Sequence, residues 1–243
     1  MRAEEILDKY GVQVTYLNPS IVHSLGRKSK VGGYESFLIE GIDLCHTCGS
    51  KRTAIIEIFK QEHPECFFPS GCDYLLVKTC YSSSCDFDDD IVFYIGFGNS
   101  GHLNISNPMN EVVLPVAFFE PQMAKEIPLT SSHNAELDSL IVSYGRSEFE
   151  ELMHNHFGMI GTKLNGEPFA FQEQVTPKCT CGKRKDHFLQ ISSYEPNMHV
   201  GDKRRYWEWE PSLGIYIGGV GNYHYYICKI CGEGTIEGQW DSL

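Results

Sequence analysis

The chain has 243 residues, of which 42% are hydrophobic, 12% aromatic and 21% charged; that is enough apolar material for a core and excludes a disordered chain. A net charge of −12 argues against nucleic acid and anionic membranes as partners, because phosphate recognition needs a basic footprint. It suits solubility and a basic protein partner, and no run approaches the roughly 20 apolar residues of a membrane span.

Residues 2–10 read as a short polar helix stopped by Gly11, without the apolar segment of an export signal. Ten cysteines in such a chain are expected to stay reduced in the cytoplasm, and their paired spacing points to metal before disulfide. Val12 to Leu17 reads as a strand, and Pro19 as the start of a helical turn through His23 and Leu25. A basic loop leads into Lys30-Val-Gly-Gly33 and an aromatic strand to Ile39. Cys45-His-Thr-Cys48-Gly49 comes next, then a strand from Thr53 to Phe59 and another from Asp73 to Val77 that ends at Cys80 and Cys85. Further strands are expected over Ile91 to Phe97 and Val112 to Phe119, and a helical connector from about Ser132 to Phe157.

The later part repeats this order. Gly161-Thr-Lys-Leu-Asn-Gly166 is a turn, Cys179-Thr-Cys181-Gly182 a knuckle, and Phe188 to Ile191 a strand. Tyr223 to Ile227 is another strand, and Cys228-Lys-Ile-Cys231-Gly232 the second pair. The expected fold is therefore α+β: two duplicated, mostly antiparallel β-rich halves, residues 1–130 and 131–243, packed together with a few connecting helices and zinc-ribbon-like knuckles.

Thiolates are soft ligands that suit zinc, and four of them make a closed tetrahedral site that stabilises a fold. Cys179, Cys181, Cys228 and Cys231 form one expected structural zinc site, with a C-x-C spacing tighter than usual. Cys45, Cys48, Cys80 and Cys85 form the other, in which Cys66, Cys72, His46 or His63 are alternative ligands. One or two zinc ions are expected.

Other motifs carry less. Gly96-Phe-Gly98-Asn-Ser-Gly101 fits a dinucleotide fingerprint, but the segment after it, with three asparagines and a proline, is not a helix. Asp86 and Asp88 to Asp90 form the densest acidic patch without the glycine and glutamate of a calcium loop. His154 and His156 suit a helix C-terminus. Tyr206 to Trp209 and Tyr223 to Tyr226 are aromatic enough to line a groove, though such runs more often belong to a core or sheet face. No nucleophile elbow, zincin motif or phosphate loop is present, so no catalytic residue is assigned.

Gly161 to Gln172, followed by Cys-x-Cys-Gly and Phe188-Leu-Gln-Ile191, resembles the bacterial YwqG-like family, as do Gly214 to Ile217 and Gln239-Trp240. A weaker likeness, through Lys30 to Gly33 and Cys45 to Gly49, runs to programmed cell death protein 2 and its relatives. The chain departs from the pattern at Asn165, where that family usually has glycine, and in its short C-x-C. The resemblance implies a duplicated β-rich fold, no established enzyme activity and the holding of another protein. An immunity protein that neutralises a basic toxin in a bacterial toxin system is the most concrete form. The alternative is a metal-dependent enzyme or ligand sensor with its site between the two halves.

Overall fold

The structure is a computed structural model that describes residues 3–20, 29–32, 44–81, 85, 92–96, 116–126, 139, 161–169, 175–193 and 221–242. Among them no helix is long and apolar enough to cross a membrane.

Helix α1 (Ala3–Tyr10) leads into β1 (Val12–Ser20), and β2 (Lys30–Val31), β3 (Thr53–Phe59), β4 (Tyr74–Thr79) and β5 (Val92–Gly96) come after it. Then come β6 (Ala117–Glu126), β7 (Lys163–Asn165), β8 (Asp186–Ser192), β9 (Gly221–Cys228) and β10 (Gly232–Ser242). All ten strands lie in one sheet, in the order β10-β9-β8-β7-β1-β6-β2-β3-β4-β5, and every pairing is antiparallel.

Mostly antiparallel sheet with few helices and two cysteine clusters is what the described residues hold, so the fold is β-rich and not the α+β expected. The helical turn expected at Pro19 is instead the end of β1, and the strand expected to stop at Phe119 runs on through Pro121 to Glu126. Proline lacks the N–H that an inner strand uses on both sides. Here β7 covers β1 only over Val14 to Tyr16, and β2 covers β6 only over Ala117 and Phe118. Each proline sits where its strand has outrun that short neighbour, so no ladder donor is missed there. The connector expected over 132–157 lies outside the described residues apart from Ser139.

The two ends of the sheet pair alike. Lys30 faces Glu57 and Val31 faces Ile56; Lys163 faces Gln190 and Leu164 faces Leu189. The β3–β4 ladder slips between Ala54 and Ile56, and the β8–β9 ladder between His187 and Leu189, at the same step of the register. In the middle, β1 runs antiparallel to β6, with Val14 to Pro19 pairing with Ala124 to Phe119, Tyr16 facing Lys163 and Phe118 facing Lys30. β1 thus pairs with the later hairpins, and β6 with the earlier ones.

Side chains alternate across the pleat. One face is the apolar core, including Leu17, Val31, Ile56, Leu75, Phe119, Leu164, Leu189 and Ile227. The other is polar yet buried: Tyr16, Lys163, Gln190 and His224 are successive partners in one row, and the last three are fully buried. Lys163 Nζ donates to both Glu126 oxygens at 2.7 and 2.9 Å, and Tyr16 Oη donates to Glu126 as well. Gln190 is satisfied at both ends, accepting from Phe169 N–H at 2.8 Å and donating to Gly161 O at 2.7 Å. Most buried polar groups here therefore have partners; the exceptions are His187 Nε2, both nitrogens of His224 and Asn222 Oδ1.

Candidate metal centres and an adjoining groove

The first cysteine pair of each tetrad sits on a turn closed by an isolated β-bridge. In the first, a bridge joins Leu44 to Lys51, Cys45 N–H donates to Ser50 O at 2.8 Å, and Gly49 N–H donates back to Cys45 O at 2.9 Å. In the second, a bridge joins Lys178 to Arg184, Cys179 N–H donates to Lys183 O at 2.8 Å, and Gly182 N–H donates to Cys179 O at 2.8 Å. The second turn is one residue shorter and keeps the same hydrogen bonds, so C-x-C does the geometric work of C-x-x-C. Gly49 and Gly182 both turn the chain at positive φ, 75° and 84°, where a side chain is disfavoured.

The second pairs arrive from the neighbouring strand. Cys80 comes directly after β4 and Cys228 ends β9, whose backbone N–H is held by Thr235 Oγ1 at 3.0 Å. Both expected tetrads assemble: the sulfurs of Cys45, Cys48, Cys80 and Cys85 lie within 4.8 Å of one another, and so do those of Cys179, Cys181, Cys228 and Cys231. Individual separations are 3.6 Å (Cys45 to Cys85), 3.4 Å (Cys48 to Cys80) and 3.7 Å (Cys181 to Cys228). A tetrahedral ion with metal–sulfur bonds of about 2.3 Å sets its sulfurs about 3.8 Å apart, so the donor set fits a metal ion in both places.

The crowded thiols perturb one another. Contacts with Ser50 and neighbouring cysteines pull Cys48 down to about 5, and the Cys181 backbone with the surrounding thiols pulls Cys179 to about 6. Their partners move the other way: Cys48 pushes Cys85 well up, and Cys181 pushes Cys231 to about 12. The clusters differ in exposure. Cys48 and Cys85 are half-buried, whereas Cys181 and Cys231 are exposed.

The alternative ligands lie elsewhere. Cys66 and Cys72 are core residues, with Cys72 Sγ donating to Tyr74 O at 3.2 Å. His63 is buried against Ser29 Oγ at 3.3 Å, and His46 is exposed. The Asp86 to Asp90 patch, Phe97 to Gly101, His154, His156 and Tyr206 to Trp209 fall outside the described residues. Of the other aromatic run, Tyr225 is in the core.

A groove of about 550 Å³, which no motif in the sequence announces, adjoins the second cluster; Glu65, Phe67, Asn165, Gly166, His187 and Tyr226 help line it, as do basic residues of the second knuckles. His187 Nδ1 donates to Gly166 O at 3.2 Å, leaving Nε2 as a buried acceptor without a partner. His224 lies against it, ring centroids 5.5 Å apart, and neither of its nitrogens has a partner. Burial pulls His187 down to about 3 and His224 well below the ordinary range, helped for His187 by the Lys163 ammonium. The available signal was polar side chains at inward positions of Asp186-His-Phe-Leu-Gln-Ile and Asn222-Tyr-His-Tyr-Tyr-Ile, runs otherwise read as core strands.

Compared with known proteins, the chain matches no family model and no curated sequence.

Proposed function

We propose that this chain is a non-enzymatic scaffold, held by two structural zinc ions, that binds another protein in the cytoplasm. The observation that carries the reading is the pair of four-thiol clusters: four thiolates complete a tetrahedral shell and leave no position for substrate, which is the arrangement of a structural site. The thiol donor set favours zinc over harder cations. Two such sites lock the turns between strands on both sides of the sheet and stiffen a surface for recognition. In its most concrete form the protein is an immunity protein that neutralises a basic toxin of a bacterial toxin system, as the likeness to the YwqG-like family implies; the charge of −12 suits a basic partner.

The matching registers and ladder slips at the two ends support a diverged internal duplication. In that reading β1 and β6 are the first strands of the two repeats, each exchanged onto the other repeat's hairpins.

Metal content of protein purified without chelator tests the scaffold. Two zinc per chain is the expected result, falling to one in Cys228→Ser. Ten free thiols with no metal would overturn it. If the acidic patch at Asp88 to Asp90 docks a basic partner, its charge reversal slows association at low salt. The groove beside the second cluster favours one competing reading, an enzyme or ligand sensor with its site between the two ends. That reading requires either a metal held by three protein ligands plus water or a fluorescence response of the tryptophans to a small ligand.

A further inference from the structure

The two ends of the sheet serve as each other's control. Where the backbone register is shared, differences in side chain report what the fold does not require. Asn165 (φ 59°) stands where the first end has Gly32 (φ 65°). That conformation is free for glycine, and asparagine is one of the few other residues that adopts it, at a modest cost. His187 and Tyr226 face each other where the first end has Ala54 and Lys78, and His224 stands where it has Leu76. A buried imidazole with unpartnered nitrogens is unfavourable in a place that a hydrocarbon fills at the other end. Asn165, His187 and Tyr226 all line the same groove, and His224 packs behind His187. The departures from the unstrained arrangement thus converge on one cavity, whose size lies within the range of about 300–1,000 Å³ usual for ligand sites.

The charges around the groove select the ligand. Its lysines are occupied: Lys185 is 2.6 Å from Glu237, and Lys229 is 3.2 Å from Asp186 and 5.3 Å over the Phe67 ring. Arg184 is also at the rim. Glu65 accepts only from Thr15 Oγ1 at 3.1 Å and Cys66 Sγ at 3.5 Å, neutral donors, and has no cation among the described residues. His187 has spent its one N–H on Gly166 O and retains only a lone pair, so this imidazole offers a ligand an acceptor and no donor. The Phe67 face is already covered by Lys229 and Tyr226 is 1% exposed, so the acceptors left for a ligand are the Glu65 carboxylate and the His187 lone pair.

We infer that this groove binds a cationic side chain, a lysine or arginine of a protein partner, against the Glu65 carboxylate and above His187. The assignment rests on the reading of the chain as a partner-binding scaffold, and names the chemistry that this scaffold recognises.

The test uses the zinc-loaded, full-length, ¹⁵N-labelled chain and three probes: n-butylammonium, butyrate and added Zn²⁺. Butylammonium should shift the resonances of Asn165, Gly166, His187 and Tyr226 saturably, and butyrate should not. Glu65→Gln, an exposed substitution that leaves the core untouched, should weaken that binding about tenfold, as expected for loss of one charge-assisted contact. A short peptide bearing one lysine should bind more tightly than its norleucine counterpart. His224→Leu, which installs the residue of the first end, should raise the melting temperature or leave it unchanged, because no protein hydrogen bond is lost.

Saturable binding of butyrate, no response to butylammonium, or an unchanged affinity in Glu65→Gln would each overturn the inference. So would Zn²⁺ shifting the His187 and His224 resonances after both thiol clusters are filled. These outcomes are separable from failure of the scaffold reading, which is decided by zinc per chain and needs no groove ligand.

Discussion

Replacing Lys163 by methionine should be among the most damaging single changes in the chain. The ammonium is fully buried, the Glu126 side chain is 1% exposed, and two hydrogen bonds of 2.7 and 2.9 Å join them. Burial pulls Lys163 below its ordinary value, opposed by the charge of Glu126. A buried pair of this kind gains little over hydrocarbon, since desolvation offsets most of the attraction, but a lone buried carboxylate has no such offset. Lys163→Met should therefore cost about 3–5 kcal/mol in urea unfolding at neutral pH. The triple variant Lys163→Met, Glu126→Leu, Tyr16→Phe, which also retires the tyrosine hydroxyl, should recover most of that loss. A single-variant loss under about 1 kcal/mol would refute the reasoning, because solvent or another cation would then be screening Glu126.

Gly166→Ala should cost more than about 1 kcal/mol in the same assay, since φ is 71° and the new methyl would meet Val14 Cγ2 at 2.9 Å and Glu126 Oε2 at 3.0 Å. Acid should weaken the fold earlier than carboxylates alone would. His187 is pulled to about 3 from 6.5, and His224 is also lowered, so the unfolded chain binds protons that the folded one refuses. Stability is full above about 6.5 and falls by up to about 1.4 kcal/mol per pH unit for each imidazole below it. His224→Leu should flatten that slope in a pH series of melting curves. Chelator should remove metal from the Cys179, Cys181, Cys228, Cys231 cluster first, because Cys181 and Cys231 are exposed while the first cluster has no exposed sulfur ligand. Backbone resonances near Lys229 should move before those near Cys48, and the reverse order would contradict the exposure argument.

The cysteine pairs were legible because a metal knuckle is local: a ligand pair, a glycine at positive φ and the strand after it lie within a few residues. The strand from Thr53 to Phe59 was legible for a similar reason, its β-branched run fixing both ends. Pro19 and Pro121 misled because proline excludes a strand only where a neighbour needs its N–H, and whether a neighbour is there depends on β2 and β7 being so short. The groove was invisible because Glu65, Asn165 and His187 come from three separate stretches.

The amino-acid order alone determined which residues turn, which extend and which sulfurs come in pairs, since those depend on backbone preference and ligand chemistry over short spans. Tertiary structure decided what sits beside what. It joined each pair to its partner, set β1 against the later hairpins and β6 against the earlier, and buried Lys163 on Glu126. It also left three ring nitrogens of His187 and His224 without partners beside a cavity. Such outcomes depend on register between distant strands, and one step of register carries every side chain to the other face of the sheet.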